Sequence, residues 1–253
     1  MLTPYVGVTG FMTRKEIEEA IAKFDARQGL RAKRLLMVGI LVSNKTLSGQ
    51  TNKWPHRYPR FQDLSELMLP HRRVVNLIHF ATDDKDHLSD HMTALKTHGG
   101  PDLDGFQLNI AWPDPKRIIA GFPRIVLQIG ARAMEMEGND PGRIADRLSA
   151  YRGCVTDVLI DASGGLGIPL NLQKTEGYLQ AITKKHPALG IGIAGGLPGV
   201  SLDRLKDLVR AFPFVSLDAE SGLRDANDHL DMKSVNDYFV QADRLMPYAR
   251  KAP

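Results

Sequence analysis

The sequence predicts a single (β/α)8 barrel, an α/β fold in which eight parallel strands form a closed core inside a ring of helices. Three observations predict this class. Short apolar runs and helical patterns alternate eight times along the chain. The length of 253 residues matches one such barrel, which typically needs about 250. Since no Pro-, Gly- or Ser-rich linker divides the chain, residues 1–253 are interpreted as one domain.

The predicted strands are apolar runs without polar alternation, which is typical of parallel strands buried on both faces. They span residues 5–9, 35–42, 74–80, 103–110, 125–129, 155–160, 190–194 and 214–219. Every connection is long enough for a right-handed crossover. A doubly wound open sheet fits the same pattern, because periodicity does not show whether the first strand pairs with the eighth. The first glycine turn, Gly7 to Gly10, lacks the spacing of a dinucleotide-binding loop.

Helix signals follow the strands. Thr13 and Glu16 have the spacing of a capping box, which opens a helix through Phe24. Pro115 stands where the first turn of a helix after strand four is expected. Further helical stretches are predicted over residues 64–68, 83–98, 141–151, 172–185, 201–209 and 234–248.

The composition favours a soluble protein with a small-molecule ligand. The formal net charge is +4 and the pI is near 9.1, but acidic and basic residues are interleaved and no long basic block occurs. Phosphorylated small molecules therefore account for the charge as well as nucleic acid does. No pattern of aromatic and basic residues indicates a nucleic acid partner. No apolar run reaches membrane-spanning length, so we expect no membrane association.

Cysteine and histidine placement argues against a metal centre. The single cysteine, Cys154, excludes an intramolecular disulfide and a multi-thiolate site, and it favours a reducing cytoplasm. His87 and His91 are four residues apart and could face a metal from one helix. That helix is predicted on the outer ring of the barrel, away from the strand ends that carry chemistry. We therefore expect no metal and no cofactor.

Candidate catalytic residues stand at the carboxyl ends of the predicted strands, where such barrels place their chemistry. Asp161 follows strand six and precedes Gly164 and Gly165, whose backbone can approach an anion. The alternative is that Asp161 only shapes a turn or caps a helix. The other polar strand-end residues include Thr9, Lys45, Gln107, Asn109, Gln128 and Asp218.

Two further glycine turns follow the last two strands. Gly195 and Gly196 come after strand seven, and Ser221 and Gly222 come after strand eight. These are the turns where barrels of this class commonly bind phosphate. Tight turning alone would also require glycine, but two polar glycine turns at the expected strands favour a phosphate site.

Several strand-end motifs occur in the order and at the spacing of one family. They are Val6-Gly-Val-Thr-Gly10 with Arg14, Gln107-Leu-Asn109, Asp161-Ala-Ser-Gly-Gly-Leu-Gly167, Ala194-Gly-Gly-Leu197, and Leu217-Asp-Ala-Glu-Ser-Gly222 followed by Met232-Lys233. On these motifs the chain resembles phosphoribosylanthranilate isomerase over nearly its whole length. Each motif is short and glycine-rich, so their common order carries more weight than any single one.

The resemblance implies a sugar-phosphate enzyme that rearranges an aminoaldose to an aminoketose, the Amadori reaction. It implies Asp161 as the general acid that opens the ribose ring, and it places Thr9 where the family has a cysteine base. A threonine hydroxyl is a far weaker base than a thiol near neutral pH. Asn109 stands where the family often has a histidine. The 43–59 loop, which contains Lys45, replaces a short turn whose arginine binds the anthranilate carboxylate.

These observations predict an isomerase or lyase acting on a phosphorylated sugar derivative, with Asp161, Thr9 and Asp218 as catalytic candidates. The candidates for binding substrate or phosphate are Lys45, Gln107, Asn109, Gly164, Gly165, Gly195, Gly196, Ser221 and Gly222. Lys45 is interpreted as a proton-transfer group or an anion anchor. The alternative is a barrel that binds a phosphorylated ligand without catalysis. A homodimer is compatible with the sequence.

Overall fold

The chain forms a closed barrel of eight parallel strands in a computed structural model that describes residues 2–161, 170–197 and 202–246. The first and last strands pair in parallel, with Val6 opposite Leu217, so the barrel is closed and the open-sheet alternative is excluded. The strands are β1 (Tyr5–Thr9), β2 (Leu35–Ser43), β3 (Val74–Ala81), β4 (Gly105–Asn109), β5 (Arg124–Gly130), β6 (Asp157–Asp161), β7 (Gly190–Ala194) and β8 (Ser216–Ala219).

Helices surround the barrel. The predicted capping box is confirmed, because Thr13 Oγ1 accepts from the Glu16 N–H at 3.2 Å and Glu16 Oε2 accepts from the Thr13 N–H at 2.9 Å. The α-helices in the described part of the chain are α1 (Arg14–Asp25), α2 (Gln28–Lys33), α3 (Asn44–Leu47), α4 (Leu88–Gly99), α5 (Ala131–Met136), α6 (Pro141–Arg147), α7 (Leu172–Lys185), α8 (Lys206–Ala211) and α9 (Met232–Leu245).

The connection between β4 and β5 differs from the prediction. Instead of a helix it contains one 3-10 turn, Pro115–Arg117, which Asp114 caps. Prolines and glycine leave no run long enough for a helix there. Trp112 fills the outer layer in its place: it is buried, and its Nε1–H donates to the Ala133 carbonyl at 2.8 Å. The 3-10 turns Phe61–Leu67, Leu148–Tyr151 and Asp203–Leu205 also replace all or part of predicted helices.

The barrel interior is layered. Its apolar centre is a separate cluster from the larger core between the strands and the helices. The buried members of this central cluster are Tyr5, Met37, Val75, Leu77, Val126, Leu159 and Ala194. At the amino end of the strands, Arg124 and Asp157 form a buried ion pair at 3.2 Å, and the Arg124 guanidinium lies 5.3 Å from the Tyr5 ring centroid. Polar side chains fill the carboxyl end.

Gly105 is required at the start of β4 for steric reasons. A Cβ atom there would lie 1.6 Å from the backbone oxygen of Arg124 on the neighbouring strand, so the strand pair would have to separate. We expect Gly105→Ala to lower the free energy of unfolding by about 3 kcal/mol or more in urea denaturation.

Gly177 in α7 provides the matched control, because a Cβ there meets only Pro141 Cγ at 3.8 Å. Gly177→Ala should be neutral or stabilising by about 0.5–1 kcal/mol. Equal effects of the two alanines would contradict the strand register described here.

Candidate active site

A cleft opens at the carboxyl end of the strands, and the space within it, including its solvent-open mouth, is about 380 Å³. We call it the inner cavity. Its described lining residues come from β3 to β8 and the turns after β7 and β8: His79, Gln107, Gln128, Asp161, Ala194, Gly195, Gly196, Leu197, Asp218, Ala219, Glu220, Ser221 and Gly222. Most of the predicted site residues therefore meet in one place.

Two amides join the two catalytic carboxylate candidates. Gln128 Nε2 donates to Asp161 Oδ2 at 2.8 Å. Gln107 Nε2 donates to Asp218 Oδ2 at 3.0 Å and to Gln128 Oε1 at 3.2 Å. All four side chains are buried, so each depends on the others for hydrogen bonds that water would otherwise provide. Asp161 and Asp218 are thus held at fixed positions on one cavity.

Burial raises the pKa of Asp218 to about 7. The hydrogen bonds from Gln107 and Thr9 favour the charged form and oppose this effect, while the nearby carboxylates of Glu220 and Asp161 raise the pKa further. A carboxyl group that titrates near neutral pH can give or accept a proton under physiological conditions. Asp218 therefore has the properties of an acid–base group.

Thr9 lies beneath Asp218 and does not line the cavity. Its side chain is fully buried, and Oγ1 donates to Asp218 Oδ1 at 2.9 Å. Gly39 on β2 leaves the space for it, since a Cβ there would lie 2.4 Å from Thr9 Oγ1. The threonine at the position of the family's base thus contacts Asp218 instead of facing the cavity.

His79 is a cavity residue that the sequence analysis missed. The sequence analysis named no residue of strand three, whereas the inward positions of β3 are Val75, Leu77 and His79. These three residues are every second residue of the strand and therefore share one face, and this spacing was the signal that could have identified His79. Burial lowers the pKa of His79 to about 4, although the Asp161 carboxylate opposes this, so the ring is neutral at pH 7.

The glycine turns after β7 and β8 form one wall of the cavity. Gly195 and Gly196 both have positive φ, 96° and 57°, which other residues rarely adopt. Arg204, which lies at the protein surface, donates to the Gly196 carbonyl oxygen at 2.7 Å. Ser221 begins a 3-10 turn that ends at Leu223. The remaining predicted phosphate-binding glycines, Gly164 and Gly165, lie outside the described residues.

The other two predicted binding residues line a second, outer cavity. Lys45 and Asn109 lie there with residues of the 43–59 loop, including Trp54 and Tyr58. Lys45 is exposed. Burial raises the pKa of Tyr58 to about 12, so its hydroxyl stays protonated. The outer cavity adjoins the inner one, because Asn109 follows Gln107 by two residues on β4 and points to the same face.

Two arginines join the loops above the barrel, and the sequence analysis identified neither as a site residue. Arg57 binds Asp228 at 2.6 Å and Glu220 at 2.7 Å, and it donates to Ser221 Oγ at 3.2 Å. Arg224 donates to the Gly10 carbonyl at 2.8 Å. The loops after β1, β2 and β8 are therefore tied together over the cavity.

The remaining sequence candidates lie away from the cavity. Cys154 precedes β6, and its Sγ–H donates to the Tyr151 carbonyl at 3.2 Å. His87 contacts Asp84 at 3.0 Å, and His91 packs edge-on against Phe80. Within the described ranges, no group of three or more His, Cys, Asp or Glu side chains is arranged to hold a metal ion. In the same ranges, no helix is both long and apolar enough to span a membrane.

Comparisons by sequence identify no relative: no family model matches the chain, and neither does any curated protein. Solved structures do match. Phosphoribosylanthranilate isomerase from Thermus thermophilus is 15% identical, with a TM-score of 0.66 over 95% of this chain and 99% of its own. TrpF from Jonesia denitrificans is 17% identical, with a TM-score of 0.63 over 96% and 98%. The fold is that of the phosphoribosylanthranilate isomerase barrels.

A third match describes a ligand complex. It is a phosphoribosylanthranilate isomerase bound to reduced 1-(o-carboxyphenylamino)-1-deoxyribulose 5-phosphate, 18% identical, with a TM-score of 0.61 over 95% of this chain and 99% of its own. At these identities the likeness establishes the barrel and its resemblance to these isomerases, and the chemistry must be argued from this chain's own residues.

The raised pKa of Asp218 predicts a pH-dependent effect of Asp218→Asn. In the folded protein the Asp218 carboxyl group keeps its proton up to about pH 7, whereas in the unfolded chain it loses the proton near pH 3.8. The unfolding free energy of the wild type therefore falls as the pH rises between these values. The asparagine variant does not titrate. Between about pH 4 and 7, its unfolding free energy relative to wild type should therefore increase by about 4 kcal/mol in total. Above about pH 7 the difference should stay constant.

Urea denaturation across this pH range measures the difference. The control is Asp207→Asn, because the Asp207 side chain is almost fully exposed. Its stability difference from wild type should be small. A pH-independent difference for Asp218→Asn would contradict the raised pKa.

Arg57 should stabilise the loops that cover the cavity. Arg57→Met leaves Glu220 and Asp228 without their shared cation, and both are only partly exposed. We expect a loss of about 2 kcal/mol in unfolding free energy, with faster amide hydrogen exchange in the loops after β2 and β8. Arg60→Met is the control, because the Arg60 side chain is 80% exposed and solvent screens its pair with Asp63, so we expect little change.

Proposed function

We propose that this protein is an isomerase that moves a proton on a phosphorylated sugar derivative, with Asp161 and Asp218 as its acid–base pair. One observation carries the proposal: two buried carboxyl groups at the ends of β6 and β8 face one cavity and are held there by Gln107 and Gln128. Proton abstraction beside a carbon–nitrogen or carbon–oxygen double bond requires such a pair, one group that gives a proton and one that takes a proton.

The two carboxyl groups take the roles that the Amadori reaction requires. Asp161 gives its proton to the ring oxygen as the carbon–oxygen bond of the ring breaks, and the substrate's nitrogen lone pair forms a C=N bond. The Asp218 carboxylate then takes the proton from C2, and that C–H electron pair moves toward the C=N group. Burial makes Asp218 a stronger base than an exposed aspartate. Asp218 therefore replaces the family's cysteine, and Thr9 orients it.

The phosphate group is placed at the glycine turns. No lysine or arginine is among the described residues that line the inner cavity, and Asp161, Asp218 and Glu220 already bring negative charge. We therefore place the phosphate at the turn after β7, on the backbone of Gly195 and Gly196. Two facts support this location: glycine backbone can approach an anion closely, and one similar isomerase binds a sugar 5-phosphate.

The outer cavity is the place for the second part of the substrate. It lies against the inner cavity and offers Lys45 as a cation and Trp54 as an aromatic surface. An anionic, planar group suits this pair, because a lysine binds carboxylate and an aromatic ring stacks on a planar group. Lys45 serves as the anion anchor in this proposal.

Binding of a phosphorylated ligand without catalysis is the second candidate. It is favoured by Thr9, whose hydroxyl is fully buried and hydrogen-bonded to Asp218, so the family's own base is absent. In that case ribose 5-phosphate would bind, but no substrate carbon would exchange its proton with solvent.

Deuterium exchange separates the two candidates. Aminated ribose 5-phosphates incubated with the protein in D2O should lose the C2 proton, and the aminoketose product should carry deuterium at C1, as followed by proton NMR. Asp161→Asn and Asp218→Asn should each slow this exchange by about 10²–10⁴-fold, while the exposed Asp207→Asn should not change it. Binding of ribose 5-phosphate, measured by calorimetry, with no exchange by the wild type would establish the non-catalytic candidate.

The pH profile tests the role of Asp218 independently. If Asp218 is the base, kcat/KM rises with pH through an acid limb near the group's pKa of about 7. The limb should be absent from the residual activity of Asp218→Asn. A profile that keeps the same limb in this variant would assign the base to another group.

Several expectations stay predictions of the sequence. They are a single domain over residues 1–253, a cytoplasmic location, the absence of a cofactor and of nucleic acid or membrane partners, and assembly as a homodimer. One of the similar isomerases, from Thermotoga maritima, is dimeric, which supports the last of these.

A further inference from the structure

His79 is the one buried ring in the inner cavity, within the described lining, and one of its nitrogens has no protein partner. Its side chain is about 95% buried, since only 5% of its surface is exposed. Nδ1 lies 3.2 Å from Gln107 Nε2. Nε2 is buried without a hydrogen-bond partner. A buried polar atom that no protein group satisfies costs free energy, and it is commonly retained because a ligand pairs with it.

The hydrogen bonds through Gln128 and Gln107 determine which nitrogen of His79 carries the proton. Gln128 donates its NH2 group to Asp161 Oδ2 at 2.8 Å, and its Oε1 therefore faces Gln107. Gln107 must then present its own NH2 group, which donates to Gln128 Oε1 and to Asp218 Oδ2. The same nitrogen faces His79 Nδ1.

A proton on Nδ1 would oppose the N–H groups of Gln107 directly. The neutral ring therefore has an unprotonated Nδ1 and carries its proton on Nε2. The ring is neutral at pH 7 because burial lowers the pKa of His79 to about 4. Nε2–H is then a donor without an acceptor, and it belongs to a residue that lines the cavity.

We propose that His79 Nε2–H donates a hydrogen bond to the C2 oxygen of the substrate in the inner cavity. This oxygen is a hydroxyl when Asp218 takes the proton from C2, and it becomes the carbonyl oxygen of the aminoketose when the hydroxyl loses its own proton and C1 gains one. The proposal rests on the function proposed above and assigns a third catalytic group to it. No bond to His79 forms or breaks, and the ring keeps its proton throughout. Gln107 is the positioning residue, because its amide fixes the tautomer.

The location agrees with this role. Gln107 Nε2 contacts both His79 Nδ1, at 3.2 Å, and Asp218 Oδ2, at 3.0 Å, so the donor and the base face the same small volume. Burial keeps the His79 imidazole neutral, although the Asp161 carboxylate favours the charged ring. As a donor, Nε2–H selects an oxygen acceptor and discriminates against an N–H group at that position.

The tautomer is measurable in the ligand-free protein. Nitrogen NMR of protein labelled with ¹⁵N-histidine, assigned with His79→Gln, should show the His79 proton on Nε2. Adding ribose 5-phosphate should shift the Nε2–H proton resonance downfield, as expected for a new hydrogen bond. A proton on Nδ1, or an Nε2–H resonance that saturating ribose 5-phosphate leaves unchanged, would overturn the proposal.

Kinetics provide the second test. His79→Leu should lower kcat by about 10²–10³-fold, and His79→Gln, whose side-chain NH2 can reach the Nε2 position, should recover at least part of this loss. The acid limb from Asp218 should remain in both variants, because His79 acts as a donor and does not titrate in this range. Full activity of His79→Leu would overturn the proposal.

The two proposals fail in different ways. If ribose 5-phosphate shifts the Nε2–H resonance but no substrate carbon exchanges its proton, the donor contact stands and the isomerase function fails. If the wild type exchanges the substrate proton while His79 carries its proton on Nδ1, the isomerase function stands and the His79 contact fails.

Discussion

The polar interior at the carboxyl end of the barrel depends on one atom, Nε2 of Gln107. It lies within 3.2 Å of Asp218, Gln128 and His79, which come from three other strands. Closing a barrel removes these side chains from water, so each must find a partner inside. The amide of Gln107 provides that partner, and its orientation fixes those of the neighbours. The arrangement of acid, base and donor groups in the cavity follows from this requirement.

The layers below and above the polar groups determine how they behave. Beneath them, the apolar cluster around Leu77, Val126 and Leu159 separates them from the Arg124–Asp157 ion pair at the other end of the barrel. Above them, Arg57 closes the loops after β2 and β8. The carboxyl groups are thus enclosed on both sides. Enclosure raises the pKa of Asp218, which suits proton transfer near neutral pH, and it lowers the pKa of His79, which keeps that ring a neutral donor.

The chain combines the barrel of the phosphoribosylanthranilate isomerases with a different set of groups at the strand ends. Thr9 contacts Asp218 in place of presenting a thiol, and Asn109 lines the outer cavity. In our proposal the base moves from β1 to β8, and His79 on β3 adds a donor. Such a change is compatible with the fold, because the eight strand ends surround one cavity and a group on any of them can reach the substrate.

The sequence by itself predicted eight alternating strands and helices at nearly the observed positions, without excluding an open sheet, and it identified Asp161, Gln107, Asp218 and the glycine turns as strand-end residues. These features depend on local patterns: apolar runs, turn residues, and the position of a polar residue after a strand. It did not reveal the helix-free connection after β4, where Trp112 takes the place of a helix by a tertiary contact. Only the tertiary structure decided which strand-end side chains meet. Gln107 lies 28 residues from His79 and 111 from Asp218, and barrel closure and strand register alone bring them together.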